Sequence, residues 1–213
     1  MEKTFEEEWA VLDNIYNEYE EKYFEMSSSL KIEKEIWSSS LHYNLYPLQI
    51  ELSGYKPGKL YKSEPKTKKN VVVYGFDSND LKYAGIYDGL SFMSLEYFSA
   101  LKKNKVIFLG YYKKCLDRVH IIYSDINKIP QYSLLLFIDN NIKRYVKEIY
   151  EINDEKIARI TAYGVRRKNE QVISIIDVIY DVTYLEDEVK EIVATQNNHK
   201  TGKRNILQIY SCK

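Results

Sequence analysis

Cysteine, histidine, glycine and proline are all scarce in this chain of 213 residues, long apolar runs are missing, and 31 basic residues cancel 31 acidic ones. No stretch approaches the roughly 20 apolar residues of a membrane-spanning helix. The opening Met1-Glu2-Lys3-Thr4-Phe5-Glu6 has no secretory-signal pattern, so a cytoplasmic protein without membrane contact is expected. Cys115 and Cys212 are too few for a disulfide scaffold and lack ligand spacing, which predicts reduced thiols. His42, His120 and His199 include no pair at metal spacing, and the 8 glycines form neither a Gly-x-Gly-x-x-Gly nor a Walker pattern. No metal and no cofactor are therefore expected. Charge balance removes the general attraction to phosphate backbones, so nucleic acid is not an expected partner. At 45% hydrophobic and 29% charged, the chain has the composition of a globular domain, or of two small ones.

Against these shortages stand 21 tyrosines. Tyrosine suits half-buried strands, where its ring packs and its hydroxyl reaches water or a partner. A sequence bias that also enriches Lys, Asn and Ile explains the number; an aromatic recognition surface is the other explanation.

Thr4 and Glu7 have the spacing of a capping box and predict a helix start. Beyond it Phe5, Trp9, Leu12, Tyr16, Tyr19, Tyr23 and Met26 recur at intervals of three and four, an apolar seam that must lie against something. The opposite side carries Glu6, Glu7, Glu8, Asp13, Glu18, Glu20, Glu21 and Glu25. Residues 1–35 hold eleven acids against four lysines, a net of −7, which leaves the remainder at +7. Either the seam docks on the chain's own sheet or it forms a coiled coil with a partner. After Ser27-Ser28-Ser29 a shorter helix through Ile32, Ile36 and Trp37 is expected, so residues 1–40 read as an acidic helical segment. Residues 41–69 contain Pro47, Gly54, Pro57, Gly58 and Pro65 and end in the lysine-rich Lys62–Lys69; they read as connection.

From residue 70 to 213 the period becomes that of strands. Runs at Val71–Phe76, Leu81–Tyr87, Ser91–Phe98, Val106–Tyr112, Arg118–Tyr123, Tyr132–Ile138, Ile142–Ile152, Lys156–Tyr163, Val172–Tyr184 and Ile206–Tyr210 are separated by breaks such as Asp139-Asn-Asn141. Many of these breaks are too short for crossover helices, which predicts antiparallel hairpins in a meander. Glu186–Thr195, with Val189, Ile192 and Val193, allows a short closing helix. The segments Tyr74–Tyr87 and Tyr150–Tyr163 echo each other as strand, Asx-rich turn and strand, either by duplication into two related halves or by convergence on a common hairpin.

Signals for catalysis are sparse. Asp177 or Asp181, followed by Glu188-Val-Lys190, has the carboxylate, carboxylate, lysine order with which metal-dependent nucleases hold Mg²⁺ and orient water. His120 reads as a structural strand histidine and Cys115 as an inert thiol.

The stretch Tyr-Glu-Ile-Asn-Asp-Glu-Lys-Ile-Ala-Arg-Ile, Tyr150–Ile160, resembles the tyrosine and Asx hairpins of cytoplasmic immunity proteins encoded beside bacterial polymorphic toxins. That resemblance implies a non-enzymatic chain that binds and neutralises a cognate protein through charge complementarity and buried aromatic anchors. Glu6, Glu7, Asp13, Glu18 and Glu21 on the helix, with Tyr112 and Tyr163, are the contact residues it suggests. The alternatives are a nuclease built on Asp177, Glu188 and Lys190, and a phage or mobile-element protein that sequesters a defence factor or its nucleotide signal. The expected fold is α+β: an N-terminal amphipathic helix packed on a large, mainly antiparallel meander.

Overall fold

Alternating β-branched and aromatic side chains need neighbours on both sides, and here each strand finds them in the strands adjacent in sequence. The computed structural model describes residues 4–89, 93–102, 105–199 and 201–212. The expected strand start at Ser91 and the break at Lys103-Asn104 fall outside them. The elements are α1 (Phe5–Tyr19), α2 (Tyr23–Ser28), β1 (Lys34–Ser38), α3 (Gln49–Leu52), β2 (Val72–Asp77), β3 (Asp80–Tyr87), β4 (Met93–Lys102), β5 (Lys105–Tyr112), β6 (Cys115–Ser124), β7 (Pro130–Asp139), β8 (Ile142–Asn153), β9 (Lys156–Lys168), β10 (Gln171–Leu185), β11 (Glu188–Asn197) and β12 (Arg204–Ser211). The strands form one 12-stranded sheet in sequence order, and every neighbouring pair is antiparallel.

Five hairpins share one construction. In β2–β3, β5–β6, β8–β9, β9–β10 and β10–β11 a two-residue turn is followed by two registered pairs and then one extra residue on the returning strand. The extra residues are Lys82, Asp117, Ala158, Ile173 and Lys190, each a β-bulge that increases local twist. The echo between Tyr74–Tyr87 and Tyr150–Tyr163 is thus one instance of a recurring shape. Their turns also differ, since Asp154 and Glu155 both have positive φ whereas Ser78 alone does in the first hairpin. Both residues positive is the primed turn that matches strand twist, repeated at Lys113-Lys114, Asn140-Asn141 and Asn169-Glu170 without any glycine.

The capping box forms as expected, with Glu7 N–H donating to Thr4 Oγ1 and Thr4 N–H to Glu7 Oε2. The helix does not run on to Met26. The Tyr19 carbonyl at the end of α1 accepts from Lys22 N–H at 3.1 Å and from Tyr111 Oη at 2.8 Å, and α2 begins only at Tyr23. Burial pushes the Tyr111 hydroxyl up to about 12, which keeps it protonated as a donor. Trp9 and Leu12 of α1 are buried in one cluster with Leu109, Val119, Ile121, Leu134, Leu136 and Tyr145.

Two helical expectations are corrected. Ile36 and Trp37 lie in strand β1 and pair with Tyr74 and Val73, so the residues 1–40 segment is not helical throughout. Glu188–Asn197 is strand β11, where Ile192 and Ala194 pair with Val182 and Tyr180. In both places a short apolar spacing compatible with a helix yields to ladder hydrogen bonds and cross-strand packing, which a short isolated helix cannot match.

Successive strand residues point to opposite faces. On β6, Val119 and Ile121 join the cluster of α1, whereas Ile122 packs with Leu45 and His120 lies under the Tyr46 ring at 4.6 Å. The 41–69 connection therefore supplies core on the face opposite α1: Leu45, Gln49 and Ile50 are buried, and Leu48 and Leu52 pack against Tyr150, Ile160, Val182, Ile192 and Tyr210.

Candidate binding face

The acids of α1 are largely engaged with the chain's own strands. Glu6 accepts from Arg167 at 2.8 Å, Glu8 from Lys147 at 2.7 Å, and Asp13 from Lys143 at 3.0 Å and from the Tyr145 hydroxyl at 2.8 Å. Arg167 also covers the Trp9 ring at 5.0 Å. Glu7 is used in the capping box and Glu18 faces Lys22 at 3.9 Å. Of the acids suggested as partner contacts, Glu21 alone lacks such an engagement among the described residues, and it is exposed. The opposite net charges of the two segments thus serve internal attachment. Tyr112 is exposed at the end of β5, with Lys113 Nζ 5.2 Å from its ring. Tyr163 is half-buried, its ring 4.7 Å from that of Phe5.

Asp177, Glu188 and Lys190 do not come together. Asp177 pairs with Tyr163 in the middle of the sheet, whereas Glu188 pairs with Leu185 at a hairpin end. The eight residues between Asp177 and Leu185 span about 26 Å of extended chain, too far for one ion to bridge. Lys190 is the bulged residue of that hairpin, and Asp181 bonds Arg159 at 2.7 Å. Among the described residues no group of three or more His, Cys, Asp or Glu is placed to hold a metal ion. Asp177 instead meets His199 Nε2 at 2.9 Å.

What the register does assemble is one continuous surface on the α1 side of β8–β12. Ile149, Thr161, Ile179, Thr195 and Ile206 are cross-strand neighbours in turn, so five strands contribute one row of β-branched side chains about 19 Å long. The row continues into Tyr132 and Tyr123, whose rings stack at 4.4 Å. On one side runs Glu151, Arg159, Asp181, Val193 and Gln208; on the other, Lys147, Tyr163 and Asp177. The apolar middle is open, with Ile149 47% and Ile206 71% exposed. α1 lies over β6 and β7 and borders this surface, where Glu8 meets Lys147 and the Phe5 ring lies against Tyr163. An apolar strip between polar rows is the anatomy of a protein interface, whose centre excludes charge and whose rim carries it. Its elements are separated by 57 residues of sequence, so no local motif announces it; the alternation within each strand was the available signal.

Comparison with protein-family models, with curated proteins and with solved structures finds no match. Among the described residues no helix is long and apolar enough to cross a membrane.

Proposed function

We propose that the chain is a non-enzymatic binding protein that neutralises a partner protein, as cytoplasmic immunity proteins do, and that the row from Ile149 to Ile206 is where the partner docks. The observation that supports this is the row itself. A sheet contributes to a fold by burying its faces, yet this strip is exposed at Ile149 and Ile206 and only half-buried at Thr161, Ile179 and Thr195 between them, bordered by the Arg159–Asp181 and Asp177–His199 pairs. A patch of that kind marks an interaction surface.

The test uses growth. Polypeptides encoded beside the gene are expressed one at a time, with and without this chain, and a toxic one is expected to be suppressed by it. Ile149→Glu combined with Ile206→Glu should remove suppression while the thermal midpoint stays within a few degrees, because both positions are exposed. Full suppression by the double variant would remove this face from the function. Absence of any suppressed or co-purifying polypeptide would remove the neutralising role.

A further inference from the structure

The face opposite α1 carries a second row with different chemistry. Arg118, Phe137, Arg144, Arg166 and Ser174 are registered neighbours across β6–β10. Arg118 is satisfied: it donates twice to Asp117 at 2.9 Å and once to the Tyr97 hydroxyl at 2.8 Å. Its guanidinium carbon lies 4.9 Å from the Phe137 centroid, and that of Arg144 lies 5.7 Å from the same ring. Arg144 and Arg166 take part in none of the ion pairs among the described residues. Arg144 Nε is buried without a hydrogen-bond partner.

Two like charges directly opposite on neighbouring antiparallel strands, with Cβ atoms about 5 Å apart, oppose folding. Burial and then Arg166 hold the Arg144 guanidinium below its ordinary value, with Asp139, beyond ion-pair distance, acting in the opposite direction. Ser174 ends the row and also lines a cleft of about 480 Å³ whose wall on β10 is apolar, with Ile173 and Ile175, and whose other wall carries Gln196, Asn197 and His199. The cleft exists because β10–β11 pairing stops at Val178 and Gln196, whereas β10 extends back to Gln171 and keeps that flank open. Its volume is that of a small-molecule site, and its side-chain amides offer both donors and acceptors.

We propose that Arg144 and Arg166 bind the phosphoryl group of a small phosphorylated molecule of nucleotide size, whose uncharged polar part lies in the cleft beyond Ser174. A phosphoryl dianion matches two facing guanidiniums in charge and accepts from both, and Arg forks suit its oxygens better than Lys would. Arg144 and Arg166 lie on the other side of the sheet from the Ile149–Ile206 row, and the cleft opens at the flank of β10, where His199 lines it and bonds Asp177 beside that row; phosphate binding by the two arginines and partner docking on the row can each fail without the other.

Titration calorimetry and thermal melts of the full chain, with inorganic phosphate, pyrophosphate, AMP and ADP as probes, test the assignment. Phosphate should bind and raise the midpoint, and AMP or ADP should bind at least tenfold tighter than phosphate through the cleft. R144Q and R166Q should each weaken phosphate and nucleotide binding at least tenfold. Unliganded R144Q should melt no lower than the parent protein, because a repulsion has been removed. K34Q, which removes an exposed cation on β1 at the far edge of the sheet, should bind all probes unchanged. No binding of any probe at millimolar concentration, or equal binding by R144Q and R166Q, overturns the site. Equal affinity for phosphate and nucleotides overturns the cleft's share, and a 12-residue oligonucleotide binding tenfold tighter than ADP overturns the small ligand.

Discussion

Glu8 is 5% exposed, and its bond to Lys147 is where the acidic helix touches the basic sheet most deeply. One carboxylate oxygen accepts from Lys147 Nζ at 2.7 Å, while the other is buried without a partner. Lys147 also lies 5.7 Å from the Phe5 ring and 5.3 Å from the Tyr132 ring, so its stem is held among aromatics. Removing one member strands the other charge away from water, which costs about 3–5 kcal/mol, whereas replacing both by apolar groups of similar volume is often neutral or stabilising. Lys147→Met should therefore cost about 3–5 kcal/mol and Glu8→Met about 2–3, since Lys147 is more exposed and can turn its ammonium to water. The double variant should lie within about 1 kcal/mol of the parent. At roughly 2–4 °C per kcal/mol for a chain of this size, Lys147→Met should lower the midpoint by about 6–20 °C. Urea unfolding followed by tryptophan fluorescence gives all four stabilities, and the cycle gives a coupling of about 4 kcal/mol or more. Two small, additive effects, each under about 1 kcal/mol, would mean that the pair is solvated and that α1 is not seated as described.

Two other predictions probe the sheet. His120 has both ring nitrogens buried without partners, and burial lowers its pKa to about 3. A depressed folded-state value means that the unfolded chain binds the proton first. The contribution is complete above the unfolded value near 6.5 and is lost as pH falls towards 3, with a total of the order of 5 kcal/mol. Glu148, raised by burial, works in the opposite sense from the ordinary carboxylate value upward. The stability difference between parent and His120→Phe should therefore change with pH below about 6.5, and a constant difference from pH 7 to 4 would refute the buried neutral imidazole. At the β8–β9 turn Glu155 has φ 63°, a conformation that costs a residue with a side chain about 1–2 kcal/mol and glycine almost nothing. After the greater chain entropy lost by glycine, Glu155→Gly should stabilise by about 0.5–1 kcal/mol; a lowered unfolding midpoint would contradict the turn geometry.

Much of the architecture was legible because the interactions that set it are local. Thr4 and Glu7 cap their own helix, and Asp154-Glu155 or Asn140-Asn141 turn their own hairpins. Short breaks between alternating runs leave a strand little choice but its sequence neighbour. The errors at Ile32–Trp37 and Glu186–Thr195 share a cause: each is a short apolar pattern readable with either period, settled by pairing with a strand that local propensity does not describe. The candidate sites were hardly legible. Asp177, Glu188 and Lys190 match a spacing, but extended chain carries Asp177 and Glu188 far apart. Glu6 and Asp13 looked free until Arg167, Lys143 and Tyr145 came to face them from more than 100 residues away.

Capping, turn chemistry and alternation act over a few residues, so a capped amphipathic helix and a meander of antiparallel hairpins can be read along the chain alone. Which side chains line up across strands is set by the fold as a whole. The Ile149–Ile206 row and the facing Arg144 and Arg166 exist through register, and register depends on bulges, turn lengths and the burial of both faces at once, a balance summed over the whole sheet.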